Sequence, residues 1–154
     1  MSDHIIKIIP TDPMFCCNDA TAERVAAFIR SHINSWFQGK PLPLEYSIRE
    51  NPMFVDCASN LESITCPSCG DKLDFRWWGD AMDLANKTNF RHLEIILPCC
   101  GRSSSLNCLK YYHDCGFSCV EFDLYNPATI QDNDCIRAIE KLLGTTVKII
   151  EANL

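Results

Sequence analysis

Two cysteine-bearing turns constrain this chain more than any other feature: Cys66-Pro67-Ser68-Cys69-Gly70 and, thirty residues on, Pro98-Cys99-Cys100-Gly101. Four thiolates from two such turns can surround one tetrahedral metal ion, which then ties two distant points of the backbone together. Two residues between Cys66 and Cys69 place both sulfurs on the concave side of a tight turn. The glycine that follows permits the positive φ that closes it. The second turn is irregular, because Cys99 and Cys100 are adjacent. Neighbouring side chains on a regular strand point to opposite faces, so both sulfurs reach one ion only where the backbone bends. Pro98 and Gly101 bracket the pair and favour that bend. The expected ligands are Cys66, Cys69, Cys99 and Cys100, and the expected ion is a structural zinc. If only one of the adjacent pair binds, His92, Cys108, His113 or Cys115 supplies the fourth ligand.

Residues 66–70 resemble the first knuckle of the zinc-ribbon family, in which a second knuckle, usually another Cys-x-x-Cys, completes a structural site of four cysteines. The resemblance covers residues 61–101 and implies a closed zinc centre that contributes folding energy and leaves no open coordination position. The adjacent Cys99 and Cys100 depart from the family pattern.

Eleven cysteines is an odd count, and residues 1–20 show no basic stretch followed by a long apolar run. Metal ligation and plain thiols in a reducing cytoplasm are therefore expected in place of disulfides. Cys16, Cys17, Cys57, Cys119 and Cys135 lie in or beside apolar segments and read as small buried hydrophobes. With 154 residues, 47% of them apolar and 22% charged, the chain has the makings of one folded domain. Its apolar runs, such as Leu93 to Cys100, are too short to cross a bilayer, so no membrane partner is expected. The net charge of −6 is spread along the chain and disfavours nucleic-acid binding, which draws on phosphate neutralisation.

Both ends of the chain follow one pattern. Ile5 to Ile9 reads as a strand. Asn18 or Asp19 caps a helix with an apolar stripe at Val25, Phe28, Ile29, Ile33, Trp36 and Phe37, stopped by Gly39, Pro41 and Pro43. His32 lies at the edge of that stripe. Residues 44–57 are extended, most clearly Met53 to Cys57. Phe117 to Tyr125 is a strand with Val120, Phe122 and Leu124 on one face and Cys119, Glu121 and Asp123 on the other. Thr129 with Asp132 resembles a capping box for a helix through Cys135, Ile139 and Leu143, ended by Gly144 and followed by a strand at Val147 to Ile150. Two strand–helix–strand units predict an α+β fold, a ferredoxin-like βαββαβ sandwich with 1–57 and 116–154 as its halves. Two separate small domains are the alternative. Residues 58–115 form a zinc-ribbon-like insertion, with strands at Leu73 to Trp77 and Leu93 to Leu97 and a short helix from Asp80 to about Lys87.

Function is less constrained. Thioredoxin-like exchange at Cys66 and Cys69 wants a thiol at a helix N-terminus, whereas Leu73, Phe75 and Trp77 alternate with polar residues as in a strand. His92-Leu93-Glu94 with Pro98-Cys99 is similar to part of the zinc-deaminase pattern, but the second cysteine at the required spacing is missing. No paired carboxylates, phosphate-binding loop or activated serine is present. The expectation is a cytoplasmic protein acting by protein–protein contact, as an adaptor, inhibitor or immunity-type partner. Of Trp77 and Trp78, one is expected to pack over the metal turn and an exposed one would be a contact anchor. A thiol-based or zinc-dependent enzyme is the alternative, and a nucleic-acid-associated zinc ribbon the second.

Overall fold

The alternation at Val120, Phe122 and Leu124 produces the most buried strand of the molecule. In the computed structural model, which describes residues 3–35, 39–128 and 132–153, Gly116 to Val120 are buried without interruption and Phe122 and Leu124 are fully buried. The elements in chain order are β1 (His4–Pro10), α1 (Asp19–His32), β2 (Leu44–Val55), β3 (Ser63–Thr65), α2 (Phe75–Asn86), β4 (Glu94–Ile96), β5 (Ser103–Ser105), β6 (Lys110–Tyr112), β7 (Gly116–Tyr125), α3 (Asn133–Leu143) and β8 (Val147–Asn153). A single 3-10 turn, Leu106–Cys108, links β5 to β6.

The protein is a mixed α+β structure with three helices and antiparallel sheets among the described residues. The main sheet has the order β2-β7-β1-β8, and each neighbouring pair is antiparallel. The β1–α1–β2 unit therefore skips over β7, and the β7–α3–β8 unit skips over β1, so the two units interlock. Helices α1 and α3 pack side by side on one face. There Val25, Ile29 and Ile139 meet Ile6, Ile8, Phe122 and Leu124 in a shared core. Burying one such large side chain is worth about 1.5–3 kcal/mol.

On the opposite face the chain between β2 and β7 covers one end of the sheet. Ile64, Leu97, Leu106 and Tyr111 pack there against Ile9, Val55, Phe117 and Ile150 of the sheet. That part contains α2 and two short ladders, β3 with β6 and β4 with β5. Strand β2 shifts register between Ile48 and Met53. Pro52 in that stretch cannot donate to a ladder. The Arg49 guanidinium fills the irregularity, donating to the Ser118 carbonyl at 3.2 Å and pairing with Glu121 at 2.9 Å.

Four local expectations are corrected. Helix α1 ends at His32, with Ile33 already extended, and does not run on to Gly39. Asn34 and Ser35 are weak helix formers, and their backbone is engaged elsewhere: Asn34 O accepts from the Ala128 N–H at 2.8 Å, and Ser35 bridges to Pro127. Trp36 and Phe37 lie outside the described residues. Leu73 to Trp77 is not a strand, because α2 begins at Phe75 under an Asp74 cap that accepts the Arg76 N–H at 2.6 Å. Asp132, not a Thr129–Asp132 box, caps α3 by accepting from the N–H groups of Asp134 and Cys135; Thr129 lies outside the described residues. Finally, Cys16 is exposed and Cys17 half-buried, while Cys57, Cys119 and Cys135 are buried thiols. His32 is exposed, with its ring stacked on Phe28 at 4.1 Å. Among the described residues no helix is long and apolar enough to cross a membrane.

Candidate metal centre

Both cysteine turns sit where a short strand ends, and they have the same backbone. In the first, after β3, the Cys66 N–H donates to Asp71 O at 2.8 Å and the Gly70 N–H to Cys66 O at 3.0 Å. In the second, after β4, the Leu97 N–H donates to Arg102 O at 2.8 Å and the Gly101 N–H to Leu97 O at 2.8 Å. Gly70 and Gly101 have φ of 80° and 72°, a left-handed conformation that costs any other residue energy. Cys66-Pro-Ser-Cys-Gly-Asp thus superimposes in pattern on Leu97-Pro-Cys-Cys-Gly-Arg. The first ligand position of the second turn holds Leu97, which is fully buried, and Cys99 at the third position supplies the sulfur instead.

This arrangement brings the four expected sulfurs together. Cys66 and Cys100 Sγ lie 3.9 Å apart, Cys69 and Cys99 Sγ 3.3 Å apart, and all four sulfurs fall within 4.8 Å of one another. Zinc–sulfur bonds of about 2.3 Å in a tetrahedron put sulfurs about 3.8 Å apart, so the cluster has the size of a metal cage. These four residues lie close enough to hold a metal ion. The Ser68 and Cys69 N–H groups both donate to Cys66 Sγ at 3.3 Å, as suits a thiolate. Desolvation raises the Cys66 thiol, but these N–H donors and the Cys99 and Cys69 sulfurs outweigh it and bring the pKa down to about 6. Desolvation and the Cys69, Cys66 and Cys100 sulfurs push Cys99 up to about 12. A divalent cation held by these sulfurs would displace their protons. Cys66 is buried, and the other three face solvent.

The substitute ligands stand elsewhere. His92 is exposed beside α2, Cys108 is exposed, and His113 stacks on Tyr112 at 4.5 Å. Cys115 is buried against Cys57. The strand that argued against redox exchange is replaced by α2, yet the α2 cap, Asp74, lies five residues beyond Cys69. The N–H groups that lower the Cys66 pKa belong to the turn itself. Trp77 and Trp78 do not divide into a packed and an exposed member, since both are half-buried and pack against the core on the face opposite α1 and α3. Trp78 packs edge-on against Phe54 at 5.6 Å and donates to the Tyr111 hydroxyl at 3.2 Å. Trp77 lines a groove of about 770 Å³ between α2 and the β4–β5 ladder, together with Leu84, Ile96 and Leu106. Leu84 and Ile96 are 67% and 62% exposed. Sequence reasoning missed this groove because β5 consists of three serines, which carry no strand signal. It also missed the matching of Leu97 with Cys66, which the repeated Pro-x-Cys-Gly offset does carry. No protein-family model matches the chain, and neither does any curated protein or solved structure.

Proposed function

We propose that Cys66, Cys69, Cys99 and Cys100 bind one structural zinc ion in a zinc-ribbon-like insertion, residues 58–115, within a single domain. Residues 1–57 and 116–154 form its ferredoxin-like frame. The strand order β2-β7-β1-β8 with both crossover helices on one face supports that frame. The observation that carries the zinc reading is the pair of matching turns, which hold four sulfurs at the spacing of a tetrahedral cage. Four sulfur ligands leave no open position for a substrate, so the centre serves folding and the protein acts by contact with another protein. The groove beside the centre fits an apolar segment of that partner, because Leu84 and Ile96 offer exposed apolar surface on its two walls. A cytoplasmic setting keeps the thiolates reduced.

Metal analysis of the purified protein tests the centre. The expected result is one zinc per chain, lost in both Cys66→Ser and Cys100→Ser. Retention in Cys100→Ser overturns the four-sulfur set, and a coloured iron form overturns zinc. For the contact role, a photo-crosslinker at Leu84 is expected to capture one discrete partner that Ile96→Asp abolishes. Labelling indistinguishable from that at Asp134, an exposed position on α3, counts against it.

A further inference from the structure

Cys57 and Cys115 stand apart from the four-sulfur cluster, at a different strategic place. Cys57 follows the end of β2 and Cys115 precedes the start of β7, so they flank the segment that carries the cysteine turns. Their sulfurs are 3.4 Å apart, and both residues are fully buried. Both thiols point at the same acceptor, the His113 carbonyl, at 3.4 and 3.6 Å. The ladder pair Val55↔Gly116 holds the two backbones side by side immediately next to them. A disulfide has a sulfur–sulfur bond of about 2.05 Å, so closure asks for a relative movement of little more than about 1 Å.

We propose that Cys57 and Cys115 are an oxidisable pair that forms a disulfide across the neck of residues 58–114. The oxidant is a small disulfide such as oxidised glutathione. The Cys57 thiolate attacks one of its sulfurs, forms a mixed disulfide and releases one small thiolate, which takes up the proton lost by Cys57. The Cys115 sulfur then loses its proton, attacks Cys57 Sγ and releases the second small thiol. Two protein thiols are oxidised, and one small disulfide is reduced to two thiols. Cys115 is the resolving member, because desolvation and its hydrogen bond with Cys57 push its thiol up to about 12 and make it a poor first nucleophile. Full burial makes the exchange slow while the neck is packed. The disulfide closes a long loop of the unfolded chain, so oxidation stabilises the protein.

The test uses the full chain with its native metal content, incubated with oxidised glutathione, quenched in acid, alkylated under denaturing conditions and mapped by mass spectrometry. The expected product is a Cys57–Cys115 linked peptide, about 2 Da lighter than its two parts and absent after reduction. Cys115→Ala is expected to trap glutathione on Cys57. Recovery of Cys57 and Cys115 as alkylated thiols while exposed Cys16 and Cys108 carry glutathione overturns the proposal, as does linkage of either to any other cysteine. Mapping the wild-type chain decides between these outcomes even if the variant fails to fold. Failure of the zinc centre would instead show as linkage among Cys66, Cys69, Cys99 and Cys100, a separate set of peptides.

Discussion

Asp123 and Glu121 are two residues apart on β7 and share the sheet face that the helices leave uncovered. Lys7 stands directly across from Asp123 on β1 and Glu45 across from it on β2, while Arg49 pairs with Glu121 at 2.9 Å. Desolvation raises the Glu121 carboxyl, but Asp123 and Arg49 hold it below its ordinary range. Asp123 goes the other way: desolvation and the Glu121 charge push it up to about 7, against the opposing pull of Lys7 and Arg49. One of its carboxylate oxygens is buried with no hydrogen-bond partner, which favours the protonated form. Since the folded chain holds this proton more tightly than the unfolded one, its contribution to stability is complete below the unfolded value of 3.8. It is lost as pH rises through 7. The Asp123→Asn variant is accordingly expected to melt above wild type by a smaller margin at pH 5 than at pH 8. An Asp123 pKa below 5 in an NMR titration, or identical melting differences at both pH values, would rule this out.

Helix α2 shows where local pattern and structure diverge. Leu73, Phe75 and Trp77 alternate with charged residues, but the alternation spans two elements: Leu73 is buried ahead of the helix, and Phe75 and Trp77 lie in its first turn. The period that matters starts at Asp74 and runs through Trp78, Ala81, Met82 and Ala85, whose apolar side chains pack into the second core. The capping carboxylate was the available signal, since Asp74 precedes the first apolar-periodic residue. Asp74→Ala is expected to cost about 1 kcal/mol, read from denaturant midpoints, with Asp74→Asn close to wild type. A loss equal in both variants would assign the effect to charge rather than to capping. The long strands were legible because β7 and β1 bury alternating or continuous apolar residues, a pattern that needs no partner to be read. Of the short strands, β4 was read from the run Leu93 to Leu97, whereas β5 and β6 were not, because they have three residues each and owe their conformation to the turns and packing around them. The four sulfurs were legible from spacing, whereas the contact of Cys57 with Cys115 depends on how β2 and β7 pair.

At the scale of the whole molecule, the main sheet divides two cores that depend on different things. The core under α1 and α3 is wholly side-chain packing, with Ile6, Ile8, Val120, Phe122 and Leu124 presented by the two central strands. The core on the other face includes Cys66 itself, and its covering layer is built from one helix, two three-residue ladders and the turns between them. Pieces that short do not hold together by strand pairing alone, so the aromatic cluster of Phe54, Trp78, Tyr111 and Phe117 and, on the proposed zinc reading, an ion held by the four cysteines would carry that layer. Phe117 belongs to the sheet and meets Phe90 at 5.6 Å on the covering layer, whereas the core under α1 and α3 is built without any residue of that layer. Removing the metal with a chelator is therefore expected to raise amide hydrogen exchange in β3, β4, β5, β6 and α2. Strands β1, β7 and β8 with α1 and α3 should stay protected. Phe117→Ala, which empties the boundary between layer and sheet, is expected to cost about 3–5 kcal/mol and to expose both regions. If chelation instead releases every element together, the two cores form one cooperative unit, and the cage supports the whole fold.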